Sequence, residues 1–174
     1  MDEKRFPKRK PNRLRYFDYS SPGAYFITLC TNGRKCTLSR IVGAIHESPE
    51  IQLTEWGVLI DDEIKHIQDR FQAVIDCYVI MPNHIHLIIR LPYRAEENTL
   101  QSARSEISKI VGLIKMQTSK KIHKNYPNEK IWQRSFHDHV IRNRSDYEKI
   151  AAYIRDNPLK WKSDCFYIDI AGDS

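Results

Sequence analysis

Apolar residues along the chain follow two rhythms. Short runs rich in aromatic and β-branched types read as strands. One follows the turn at Pro22-Gly23 and covers roughly residues 24–31, AYFITLCT. Two more, AVIDCYVIM and HIHLIIRL, are separated only by Pro82-Asn83, a pair that favours a hairpin turn. A fourth is SFHDHVIR. Between them the spacing changes to three and four residues, which marks amphipathic helices. Val58, Ile60, Ile64, Ile67 and Phe71 predict a helix over 55–71. Leu100, Ile107, Ile110, Val111, Ile114 and Ile122 predict a long basic one over 100–123. Tyr147, Ile150, Ala151 and Ile154 predict the last, over 146–157. Ser145 and Glu148 read as a capping box at its start. Asn157 stands before Pro158, a position that disfavours helical backbone and ends the element. Residues 35–54 read as a short strand pair or a loop, and YRAEENT as a polar loop. No GxGxxG fingerprint of a βαβ unit appears. The pattern predicts an α+β fold, helices packed on a mainly antiparallel sheet.

Composition adds three restrictions. At 174 residues, 41% of them apolar, the chain suits one domain with a real core. The net charge of +6 favours an anionic partner. That charge is concentrated in residues 1–15, MDEKRFPKRKPNRLR, a basic arm with little to bury; residues 16–174 form the folded domain. The arm fits either a solubilising tail or a phosphate-binding one. The four cysteines (Cys30, Cys36, Cys77, Cys165) form no CxxC pair and read as reduced core residues. No apolar run approaches the roughly 20 residues of a membrane span, and no signal peptide precedes the domain. A cytoplasmic, nucleoid-associated protein without membrane partners is expected.

Two places hold residues that packing alone does not call for. In MPNHIHLIIR, alternation puts His84 and His86 on one face of a strand and Ile85, Leu87 and Ile89 on the other. Two imidazoles at this spacing can converge on one divalent cation, and equally can be hydrogen-bonded core histidines. In the last helix, Tyr153 and Asn157 lie four apart and share a face at the edge of the apolar stripe. A packing tyrosine and a C-cap asparagine would look the same.

Taken together, four blocks narrow the choice: PNRLRYFDYSSPGAYFITLCT, YVIMPNHIHLII, IWQRSFHDHVIR and YIRDNPLKW. In this order they resemble the REP-associated tyrosine transposases, a branch of the single-tyrosine HUH endonucleases. The resemblance implies a ferredoxin-like palm with a C-terminal tyrosine-bearing helix laid over the histidine strand. It implies His84 and His86 as metal ligands, Asn157 as a third ligand and Tyr153 as nucleophile. The activity implied is metal-dependent cleavage and joining of single-stranded DNA at hairpin-forming REP elements, through a 5′-phosphotyrosine. Two imidazoles and an amide oxygen suit Mg²⁺ or Mn²⁺, held weakly for want of a carboxylate. The partner expected is single-stranded or hairpin DNA, bound by a monomer or homodimer.

Around this set stand auxiliary candidates. Asn83 orients His84 or makes the turn. His139 and His137 share a strand face and, should that strand adjoin the histidine strand, can shuttle a proton or touch phosphate. Arg13, Arg15, Lys115, Lys120, Arg142 and Arg155 are candidates for DNA phosphates, with solvated surface charge as the plainer role. The other reading of the whole chain is a domesticated, non-catalytic binder of DNA hairpins. A water-activating metal hydrolase would need further ligands, for which Asp76, Asp138 and Asp156 show no suitable spacing.

Overall fold

The computed structural model describes residues 21–43, 49–93 and 105–168. The basic arm, with Arg13 and Arg15, lies outside them, as does Leu100. In chain order the elements are β1 (Gly23–Cys30), β2 (Ser39–Val42), β3 (Glu50–Leu53), α1 (Glu55–Lys65), α2 (Ile67–Arg70), β4 (Val74–Ile80), β5 (His84–Leu91), α3 (Glu106–Ile122), β6 (His137–Ile141) and α4 (Arg144–Asp156). The described residues of 35–54 thus include a strand pair, the two-stranded β2–β3 ribbon.

The main sheet runs β4-β5-β1-β6, with every neighbouring pair antiparallel. Its four strands and the helices between them trace the ferredoxin-like order, in which β5 slots between β1 and β4. The consequence for function is that β5 is central and covered on both faces. Tyr25, Ile27, Leu29, Ile85, Leu87 and Ile89 point to one side, where Ile60, Ile64, Ile107, Ile110 and Ile114 from α1 and α3 close the larger core. The other side carries Phe26, Val79, Ile88 and Ile141, closed by Ala151 and Ile154 of α4. His84 and His86 belong to this second face and are 0% and 2% exposed.

Three local expectations are corrected. The helix over 55–71 breaks at His66, whose ring Nδ1 lies 2.6 Å from the Asp62 carbonyl and competes with the helical backbone for it. Its true start is Thr54, whose hydroxyl accepts from the Gly57 N–H at 3.2 Å. Gly57 is required there, because a Cβ would overlap the Leu38 carbonyl. The cap of α4 is Asn143, accepting from the Asp146 N–H at 2.9 Å, and not Ser145. Asn143 lies in extended backbone that can aim its side chain at the first turn, while Ser145 is already helical and Glu148 pairs with Arg144. The helix does end before Pro158, with Asn157 as its C-cap, but Asn157 itself keeps helical backbone (φ −57°, ψ −41°) and its N–H turns to the Ile154 carbonyl.

Candidate functional site

The turn between β4 and β5 fixes the first histidine. Asn83 is fully buried. Its Oδ1 lies 2.9 Å from His84 Nδ1, and as an acceptor it makes that nitrogen the protonated one. His84 Nε2 is therefore a lone pair, and it is buried with no hydrogen-bond partner. His86 is held by a hydroxyl that can donate or accept: its Nδ1 is 2.9 Å from Thr28 Oγ1 on β1, the cross-strand residue opposite. Its Nε2 points towards α4, and the two rings lie 4.5 Å apart.

Helix α4 brings the second half. Its buried stripe, Ala151 and Ile154, seats it on the sheet, which leaves Tyr153 one residue away at the rim. The Tyr153 hydroxyl is 3.2 Å from His86 Nε2, and the residue is 36% exposed. One turn on, Asn157 is 1% exposed and its Oδ1 also lacks a partner. Two buried acceptors without donors are costly in a folded protein. Both are electron-pair donors of the kind a cation satisfies.

A residue the sequence reading missed completes the cluster. After α4 the chain makes a short 3-10 turn, Trp161–Ser163, and comes back across the histidines. Asp164 Oδ2 accepts from Tyr153 Oη at 3.1 Å and from Asn157 Nδ2 at 2.9 Å. The ligand atoms of His84, His86 and Asp164 all lie within 4.8 Å of one another. The ring of Phe166 covers His84 at 4.6 Å. The carboxylate is far from the histidines in sequence and carries no motif; only the turn after Pro158 gives a hint that the chain reverses there.

Electrostatics follow from burial. Desolvation depresses His84 to about 4, opposed by Asp164 and aided by Arg34. It depresses His86 to about 3, with His84 acting in the same direction and Asp164 against. Both rings are thus neutral and able to ligate at physiological pH. Burial and then the Asp164 charge hold the Tyr153 phenol above its ordinary value, so it keeps its proton as the site stands. Burial pushes the Asp164 carboxyl up, but the Phe166 N–H, the Asn157 amide, His84 and Tyr153 outweigh it, and it stays below the usual range.

The remaining candidates divide. Asn83 sits in the site and also donates to the Phe166 carbonyl at 2.8 Å. His139 does not reach the site: β1 stands between β6 and β5, and its Nε2 is paired with Asp146 at 2.9 Å. His137 lies on the same outer strand. Lys115 is not a free phosphate ligand, because its ammonium donates to the Gln133 and Ser135 carbonyls at 2.8 and 2.9 Å. Burial lowers it to about 8, with Cys30 opposing. Lys120 is exposed, but on α3, which packs against the sheet face opposite the histidines. Arg142 and Arg155 are exposed at the two ends of α4, on the site's own side. The cysteines are all unpaired; Cys30 is core, whereas Cys165 is exposed next to Asp164.

The family model for IS200-like transposases matches residues 27–157, which span β1 to Asn157. An uncharacterized protein of Haemophilus influenzae is 32% identical, covering 92% of this chain and 94% of its own length. A REP-associated tyrosine transposase of Escherichia coli is 25% identical over 88% of this chain and 82% of its own. Among solved structures, a REP-associated tyrosine transposase bound to a REP hairpin superposes with a TM-score of 0.61. It is 24% identical and covers 88% of this chain and 74% of that one, a likeness of fold. No helix among the described residues is long and apolar enough to cross a membrane.

Proposed function

The chain belongs to the IS200-like transposase family, and from that premise we propose that it cleaves and rejoins single-stranded DNA through Tyr153, with a divalent cation, at hairpin-forming repeats. The observation that carries this reading is a half-exposed phenol held against the histidine cluster together with two partnerless buried acceptors. Tyr153 Oη stands 3.2 Å from His86 Nε2 and shares Asp164 Oδ2 with the Asn157 amide, while His84 Nε2 and Asn157 Oδ1 are buried and unsatisfied.

In the proposed reaction the Tyr153 phenol gives up its proton and its oxygen attacks the scissile phosphorus. An O–P bond forms, the P–O3′ bond breaks, and the 3′ oxygen leaves as a hydroxyl after taking up a proton. The product is a 5′-phosphotyrosine that retains the phosphodiester's energy, so a second 3′-hydroxyl can reverse the step. His84, His86 and Asn157 would hold Mg²⁺ or Mn²⁺, which when bound supplies charge to polarise a non-bridging phosphate oxygen. The chain's own part is positional. Asn83 fixes the His84 tautomer, leaving its Nε2 lone pair free, and Thr28 orients the His86 ring. His86 and Asp164 hold the phenol oxygen between them, and α4 keeps it at the protein surface, where a flexible strand can enter.

Hairpin DNA as substrate is supported by the relative of the same fold that is bound to a REP hairpin. The test is cleavage of end-labelled single-stranded hairpin oligonucleotides with Mg²⁺ or Mn²⁺. Nicking that disappears with a chelator and in His84→Ala is the expected result. Tight binding with no cleavage by any metal would transfer the chain to the hairpin-binder reading.

A further inference from the structure

Asp164 is no passing surface carboxylate. Three contacts tie the segment that bears it to the rest of the fold, and a fourth braces it internally. Arg34 donates to the Cys165 carbonyl at 3.1 Å and lies over the Phe166 ring at 5.0 Å. Asn83 donates to the Phe166 carbonyl, and the Phe166 N–H donates to Asp164 Oδ1 at 2.7 Å. The turn that presents Arg34 uses left-handed backbone at Gly33 (φ 65°) and at Arg34 itself (φ 56°). A non-glycine residue there costs on the order of 1 kcal/mol or more, which the contacts to the 165–166 segment offset.

Those tethers deliver one carboxylate oxygen into the ring of electron-pair donors already described. The ligand atoms of His84, His86 and Asp164 meet within 4.8 Å. Asn157 donates from its amide N–H₂ to Asp164 Oδ2, and its own Oδ1 is buried without a partner. Neutral imidazoles and an amide oxygen hold hard divalent ions weakly; a carboxylate among them changes the class of site.

We infer that Asp164 is itself a ligand of the cation, so that the segment beyond Asn157 completes the metal site instead of merely covering it. The inference rests on the histidine pair being a cation site, and it names a ligand outside the stretch that matches the family model. Two imidazoles, a carboxylate and the Asn157 amide oxygen would surround the ion.

The test is calorimetric titration of Mn²⁺ into the full chain and into Asp164→Asn and His84→Ala. A ligand role predicts binding at least tenfold weaker in Asp164→Asn, with His84→Ala also weakened. A mere cover predicts the reverse, since removing its charge and hydrogen bonds opens the site. Unchanged or tighter binding by Asp164→Asn, with His84→Ala weakened, overturns the Asp164 assignment and leaves the histidine site standing. Binding that ignores both substitutions, or none by the unaltered chain, removes both. Should Asp164→Asn fail to fold, amide exchange on the unaltered chain decides: saturating Mn²⁺ slows exchange at residues 164–166 if Asp164 coordinates, and no change there overturns it.

Discussion

Each histidine in this site has its orientation set by one neighbour, and those neighbours make the sharpest residue-scale predictions. Thr28→Val keeps the shape of a buried side chain that is 4% exposed but removes the partner of His86 Nδ1. Loss of such an orienting group costs about 10–100-fold in metal affinity or activity. Mn²⁺ titration should therefore show at least a tenfold loss, with a stability cost of about 1–3 kcal/mol from the unpaired His86 Nδ1; equal affinity would mean that Thr28 does not orient the ring. Burial has its own signature in pH. The unfolded chain protonates its histidines near 6.5, while the folded chain resists until about 4 at His84 and about 3 at His86. Between those values the unfolded state binds more protons, so stability falls as pH drops from 6.5. Urea midpoints in chelator should decline between pH 7 and 5, and the decline should shrink when both histidines are replaced by Gln. An equally steep decline in that variant would place the sensitivity elsewhere.

Among the elements, α4 has the most to explain, since it delivers Tyr153 and Asn157 together. Its four-residue spacing was readable from the sequence, because a helix puts i and i+4 on one face whatever surrounds it. Its cap was not. SxxE is a capping pattern wherever it occurs, and only the backbone shows that Asn143, two residues earlier, is the one in extended conformation. Asn143→Ala should cost about 1 kcal/mol in urea unfolding, and Ser145→Ala should stay within about 0.5 kcal/mol. The opposite ranking would restore the Ser145 cap. The hairpin of β4 and β5 was equally legible, since Pro82-Asn83 between two apolar runs leaves few other conformations. Burial of its histidines was not: that depends on β1 filling one flank and β4 the other, a fact of pairing between distant segments. The same gap misplaced His139, whose alternation was right but whose strand lies beyond β1.

For the molecule as a whole, net charge favours an anionic partner without saying which surface would meet it. The histidines and α4 occupy one side of the sheet, and α1 and α3 the other. Lysines of α3 are thus poorly placed for a strand bound at Tyr153. Lys120→Ala should change hairpin affinity by less than about twofold, whereas removing residues 1–15, with their seven basic side chains, should flatten the salt dependence. Every phosphate that the arm no longer neutralises takes roughly 0.7–0.9 from the log–log slope, so filter-binding isotherms at several salt concentrations resolve even two or three. An unaltered slope would make the arm a solubilising tail. Asp164 illustrates the remaining limit on what the sequence makes legible. No spacing rule connects it to His84, eighty positions earlier; only the return of the chain after Pro158 brings them together.

Everything here depends on Tyr153 being the group that takes the DNA. The most direct measurement is the intact mass of the protein, followed by peptide mapping, after incubation with a single-stranded hairpin oligonucleotide and Mn²⁺ under denaturing quench. The account predicts a mass increase equal to the 5′-phosphorylated fragment, localised to the peptide holding Tyr153 and missing from Tyr153→Phe. Strand cleavage without any adduct, or an adduct that survives in Tyr153→Phe, would contradict it.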